Sequence, residues 1–123
     1  MSDTATVTAT KLEKLGRRLA AATGRDRDLD RAVAQVLDEA ESISDPAAYT
    51  ASVDRCLDLL QRRLAGWRWH LGYDARGIMP YAVLTNAALR CEATAATVPL
   101  ALLRAITSAR LATVAVDRKA SPG

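Results

Sequence analysis

The chain has no phenylalanine, one histidine, two cysteines and an aromatic content of only 4%. Without several His, Cys or carboxylate side chains at ligand spacing, a structural zinc site or a multi-residue catalytic cluster is not expected. Cys56 and Cys91 lie far apart and form no CxxC pair, so they make no disulfide framework. They read as reduced packing thiols. No GxGxxG or GxxxxGK[ST] string is present, which removes the usual phosphate-cradling loops, and no serine nucleophile elbow appears. We therefore expect no catalytic residue, no cofactor and no metal. The opening residues, Met1 to Thr8, show neither a basic nor an apolar signal region. No uncharged apolar run reaches membrane-spanning length, so no membrane association and a cytoplasmic location are expected.

What is present is an ordinary globular composition: 123 residues, half apolar and a quarter charged, with a net charge of +3. That excess is too small to argue for nucleic acid by itself. Leu12, Leu15, Leu19 and Ala22 recur at helical spacing, with Lys11, Lys14, Arg17 and Arg18 on the other side and Gly24 as the stop. Residues 1–9 show no such period and read as frayed. A second stripe, Leu29, Val33, Val36, Leu37 and Ala40, follows Asp26 and Asp28, whose charges suit a helix N-terminus. The two segments read as a helical hairpin over 10–42. Ser42 to Ala48, with its Asp45-Pro46 pair, reads as a linker. The charge balance changes sign there, from net −2 before residue 49 to net +5 after it.

A third helix is predicted to start between Tyr49 and Ser52, with Thr50 and Ser52 both competent N-caps, the face Val53, Cys56, Leu57, Leu60 and Leu64, and an end at Gly66. The period then falls to two. Trp67, Trp69, Leu71 and Tyr73 alternate with Arg68, His70 and Gly72, which predicts a half-buried strand with its aromatic face inward. A second strand is expected over Met79 to Thr85, with Pro80 near its start or on an edge, and a third from Leu89 to Thr94. Short turns between them imply an antiparallel meander. A last helix begins at Thr97, with Pro99 in its first turn and Leu100, Leu103, Ile106, Thr107, Leu111 and Val114 along its face; a polar tail runs from Asp117. The fold class is thus α+β: an N-terminal α-hairpin, then an α-β-β-β-α unit over 49–117 with a small three-stranded antiparallel sheet packed by helices. The third and last helices are expected to cover one sheet face. The hairpin can cover the other, lie at the side, or bind another chain.

Three strings carry a family resemblance: Tyr49-Thr50-Ala51-Ser52-Val53-Asp54, then Gly66-Trp67-Arg68-Trp69, then the run from Ala95 to Ala105 containing Ala-Thr-Val-Pro-Leu-Ala-Leu. Together they resemble the phage ABA sandwich domain, a helix, a small sheet and a second helix. The upstream run Ala22 to Asp30 is similar to the Gly-x-x-Arg-Glu-Leu-Asp segment that precedes such domains, with Asp28 in place of Glu. The resemblance spans about residues 12–110. It implies a phage or prophage origin and supplies no catalytic residues.

Two surfaces stand out as candidates. Arg25, Arg27 and Asp28 lie in the alternating-charge run that the resemblance covers, and are a candidate partner surface. Arg55, Arg62, Arg63, Arg68 and Arg90 could form a basic patch beside the tryptophans, as a single-strand nucleic-acid binder would require. The plainer readings are a salt-bridged helix start and solvated helix faces, with Asp58 and Arg62 paired one turn apart. His70 has no catalytic partners at useful spacing and reads as a surface residue. The leading expectation is a small non-enzymatic phage or prophage accessory protein that acts through protein contacts, with a homodimer as one form. Alternatives are a nucleic-acid-binding module using the arginines, and a phage-encoded inhibitor of a host defence or regulatory protein.

Overall fold

A computed structural model describes residues 3–40 and 45–120. The order is α1 (Asp3–Ala21), α2 (Arg27–Val36), a 3-10 turn (Tyr49–Ala51), α3 (Val53–Arg63), β1 (Arg68–Tyr73), β2 (Pro80–Thr85), β3 (Arg90–Thr94) and α4 (Val98–Ala120). The α+β class and the antiparallel meander agree with the sequence reading.

Caps fix the helix starts. The Asp26 carboxylate accepts from Leu29 N–H at 3.0 Å, Ser52 Oγ from Arg55 N–H at 3.2 Å, and Thr97 Oγ1 from Leu100 N–H at 3.3 Å. Three helix boundaries differ from expectation. α1 begins at Asp3 rather than near Thr10. Its first turns are built of alanine and threonine, which carry no apolar period yet sustain a helix once a partner surface is present. α2 stops at Val36, not Ala40. Glu39 enters the left-handed region at φ 55° and Ala40 N–H reaches back to the Ala34 carbonyl at 3.1 Å. No glycine marks that stop, so it is silent in the sequence. The first residues of the linker, Ser42 to Ser44, and Glu41 before them lie outside the described residues. At the other end, Asp117 to Ala120, read as tail, continue α4.

α4 is the centre of the molecule. Leu100, Ala101, Leu102 and Leu103 are all fully buried, as are Ala105, Ile106 and Ala109. Four consecutive buried positions cannot lie on one stripe, so this helix is surrounded. The sheet packs on one side of it, while α1, α3 and the 3-10 turn pack on others. Its stretch Val98–Ala115 has mean hydropathy 1.4 and is long and apolar enough to cross a membrane; here those side chains furnish the core. The hairpin and the α-β-β-β-α part share one buried cluster, in which Leu12, Leu15 and Leu19 join Leu29, Leu59, Leu84 and Leu103.

The layering departs from a three-layer sandwich. Among the described residues α4 is the one helix against the sheet; α3 packs on α4 instead, and α1 lies along α4 on the side away from the strands. The strand order is β1-β2-β3, with Trp69 opposite Leu84, Leu71 opposite Ala82 and Tyr73 opposite Pro80. Those residues, with Ala93 and Cys91 of β3, share the face toward α4. The other face carries Arg68, His70 and Gly72, then Tyr81, Val83 and Thr85, then Arg90, Glu92 and Thr94, and among the described residues no helix covers it.

Candidate interaction surface

Strand β1 forms one edge of the sheet and overhangs α4. Parity places Trp69, Leu71 and Tyr73 on the helix side as expected, but the inward burial of the aromatics is not found. Trp69 is 47% exposed and Tyr73 56% exposed, because α4 lies under β2 and β3 and barely reaches β1. Trp67 precedes the strand, half-buried against the core. The turn after β1 adds Ile78 at 68% and Met79 at 41% exposure. Four large apolar side chains are thus gathered on one strand and its hairpin turn. Sequence reasoning missed Ile78. The signal was available as an apolar pair in a hairpin tip, where Gly, Asn and Asp are the usual residues.

The turn itself is tightly built. Asp74 Oδ1 accepts from the backbone N–H groups of Arg76, Ile78 and Met79 at 3.2, 3.0 and 3.3 Å, and Gly77 takes φ 71°. Hydrogen bonds from Ile78 and then Met79 hold the Asp74 carboxyl below the usual carboxylate range. Asp74 N–H also bonds the Met79 carbonyl at 2.9 Å. That bond fixes the alternation along β1: even-numbered residues exchange backbone bonds with β2, while Trp69, Leu71 and Tyr73 direct theirs to the open edge. On the uncovered face His70 Nε2 lies 2.9 Å from Tyr81 Oη, and the Tyr81 ring covers Gly72 so closely that a Cβ there would meet Oη at 3.0 Å.

The opposite edge is guarded. Arg90 pairs with Glu92 at 2.9 Å across one strand step, and Arg104 donates to the Thr94 carbonyl at 2.6 Å, occupying an acceptor at the end of β3. Charged side chains and capped carbonyls are the usual means of blunting a sheet edge. β1 carries one charge, Arg68 at its start, and among the described residues no side chain caps a carbonyl along its free side.

The arginines do not converge. Arg62 and Arg63 both bind Asp38, at 2.5 and 3.0 Å, and Arg62 also binds Asp58 at 3.0 Å as the i, i+4 spacing suggested. Arg63 further donates to the Asp38 carbonyl at 2.6 Å. Partial burial pushes the Asp38 carboxyl up, but the hydrogen bonds and charges of Arg62 and Arg63 outweigh it and hold the group below its ordinary range. Arg68 and Arg90 sit on the uncovered sheet face, on the two edge strands, with Thr85 between them. Arg55 projects from α3 and, like Arg68, has no ion-pair partner among the described residues.

In the N-terminal candidate surface, Arg27 is an internal strut. It pairs with Asp30 at 3.0 Å and with Asp45 at 2.9 Å. Asp28 pairs with Arg31 at 3.3 Å, and Arg25 is exposed. Asp30, fully buried, is the residue sequence reasoning passed over. It accepts from Thr50 N–H and from Thr50 Oγ1, both at 2.7 Å, while the Thr50 hydroxyl accepts from Asp26 N–H at 2.9 Å. This knot ties the start of α2 to the 3-10 turn that leads into α3.

Cys56 is fully buried and donates its thiol to the Tyr49 carbonyl at 3.0 Å. Burial, then the nearby Asp30 charge, push it up to about 12, which removes it as a nucleophile near neutral pH. Burial also raises Cys91. A shallow cleft of about 270 Å³ lies between α1 and α2, lined by Lys11, Lys14, Arg18 and Gln35 over a floor of Leu15, Ala32 and Val36. Among the described residues no group of three His, Cys, Asp or Glu side chains is placed to hold a metal ion.

Comparison with protein-family models, with curated proteins and with solved structures returns no match.

Proposed function

We propose that this chain is a non-enzymatic accessory protein that works through protein–protein contacts, with β1 and its hairpin turn as the contact surface. The observation that carries the reading is the exposure of Trp69 and Tyr73 on one face of β1 and of Ile78 and Met79 in the turn that follows, beside a strand edge that no other strand pairs among the described residues. Isolated apolar side chains on a surface need no explanation; several on one edge strand and its turn, beside open backbone groups, are what a strand-adding partner uses. The phage or prophage origin, and with it a bacterial cytoplasm as the place of action, rests on the resemblance of the Tyr49–Asp54, Gly66–Trp69 and Ala95–Ala105 strings alone. An inhibitor of a host defence or regulatory protein would use the same surface and differ only in partner.

The second reading, a nucleic-acid-binding module, draws on one observation: half-exposed Trp69 is adjacent to Arg68, which has no ion-pair partner among the described residues. Against it, Arg62, Arg63 and Arg90 are already paired with carboxylates. Affinity capture of the tagged full chain from its native cells, with and without nuclease, separates the two. Protein recovered in both arms, and lost when Ile78 and Met79 are replaced by aspartate, supports the contact reading. Recovery that vanishes with nuclease refutes it in favour of nucleic acid.

A further inference from the structure

We infer that the open edge of β1 is a self-complementary surface, and that its occupant is β1 of a second copy of this chain, paired antiparallel to make one six-stranded sheet. The inference rests on the contact reading above and names the partner. It follows from three features of the strand.

The first is polarity. Trp69, Leu71 and Tyr73 present their N–H and C=O groups outward, so only residues of that parity can form the hydrogen-bonded pairs across a new interface. The second is the face. In an antiparallel pair opposed side chains lie on one face, so an interface that keeps both α4 helices on the same side must oppose odd residues to odd residues. With a two-fold axis through Leu71, both conditions are met together. Leu71 then faces Leu71 of the second copy, Trp69 faces Tyr73, and His70 faces Gly72. Each hydrogen-bonded pair contributes two backbone bonds.

The third feature is charge. The same register places Arg68 opposite Asp74 at both ends of the strand. Arg68 is exposed and has no ion-pair partner among the described residues; Asp74 Oδ1 is taken up by the turn, while its Oδ2 lies 3.6 Å from the exposed Arg76, a loose contact that leaves room for a second guanidinium. Moving the register by two residues in one direction opposes His70 to His70 and Arg68 to Gly72. Moving it in the other opposes Gly72 to Gly72 and sends Trp69 beyond the strand to Ala75. Neither opposes an arginine to a carboxylate, and the second opposes Arg68 to Arg76. Cross-strand aromatic pairs and opposite charges are the contacts that stabilise neighbouring strands. The overhang of β1 beyond α4, which leaves Trp69 and Tyr73 half-exposed, is the space the second copy's aromatics would fill. β3, with its Arg90–Glu92 pair and its Arg104-capped carbonyl, offers no such edge.

The test is sedimentation equilibrium of the purified full chain up to about 100 μM, a range that reaches dissociation constants typical of weak homodimers. Four variants accompany it: Tyr73→Arg, Trp69→Lys, Arg68→Glu and, as control, Arg90→Glu. All four positions are exposed, so folding is retained and is checked by circular dichroism. The expected result is a mass of twice 13.2 kDa. Tyr73→Arg and Trp69→Lys return it to the monomer, Arg68→Glu weakens association about tenfold, and Arg90→Glu leaves it unchanged. A chain monomeric throughout the range, or a dimer indifferent to the three β1 substitutions, overturns the inference. A monomer that still captures another protein through Ile78 and Met79 overturns the second copy as occupant and leaves the contact reading standing. A monomer that captures nothing overturns both.

Discussion

Replacing Thr50 by valine tests how the N-terminal hairpin is fastened to the rest of the chain. Valine keeps the shape of the side chain and removes only its hydroxyl. Thr50 Oγ1 donates to the buried Asp30 carboxylate at 2.7 Å and accepts from Asp26 N–H at 2.9 Å. A hydrogen bond to a charged group contributes about 1.5–3 kcal/mol, and a buried acceptor left short cannot recruit water. The Asp26 amide is partly open, so its loss adds little. The expected cost is therefore about 2–3 kcal/mol. Thr50→Ser keeps both hydrogen bonds and gives up one methyl group, for about 1 kcal/mol. Urea unfolding at neutral pH measures the difference: with a slope near 1.5 kcal/mol/M, the valine variant loses about 1.3–2 M in midpoint, two to three times the loss of about 0.7 M in the serine variant. A double cycle with Asp30→Asn should return a coupling above about 1 kcal/mol. Equal midpoints for the valine and serine variants would refute the claim that Asp30 depends on the Thr50 hydroxyl.

Other outcomes follow from the same geometry. Leu103→Ala, in the surrounded stretch of α4, should cost about 2–5 kcal/mol, read as a fall in urea midpoint at unchanged slope. The Asp38 carboxyl is depressed in the folded state, so its contribution is present above the unfolded value near 3.9 and is lost as pH falls through the folded value. Asp38→Asn should lower stability by about 0.5–1 kcal/mol at pH 7, since Arg62 and Arg63 are open to solvent, and the gap from the parent chain should close on acidification. Thiol titration of the native chain should label Cys91 slowly and Cys56 not at all until denaturant is added; equal rates would contradict the burial of Cys56. Gly72→Ala should displace the Tyr81 ring and break its 2.9 Å contact with His70, costing about 1 kcal/mol and moving the Tyr81 side-chain resonances.

Much of the fold was legible because period and punctuation agreed. The change from a helical to an alternating pattern at Trp67, the turns at Gly77 and Asn86, and the caps at Asp26, Ser52 and Thr97 each left a local trace. What stayed hidden was decided by tertiary contact. Nothing in the pattern of β1 says that α4 stops short of it, so Trp69 and Tyr73 read as core and proved to be half-exposed. An aromatic alternation reports which side chains share a face, not whether that face is covered. α4 likewise shows a single stripe in its spacing, yet the neighbouring Ala101 and Leu102 are buried too, because α1 comes to lie along its second side. The arginines looked like a patch because Asp38, which binds two of them, lies 24 and 25 residues away in sequence. Asp30 and Thr50, 20 residues apart, were invisible as a pair for the same reason.

The most direct measurement of the β1 surface is amide hydrogen exchange, resolved by residue, on concentrated and dilute samples. His70 and Gly72 bond to β2 within one chain and should be protected at both concentrations. Trp69, Leu71 and Tyr73 should be protected when concentrated and should exchange freely on dilution, as the edge opens. Fast exchange of those three amides at every concentration would contradict a β1 edge filled by a second copy.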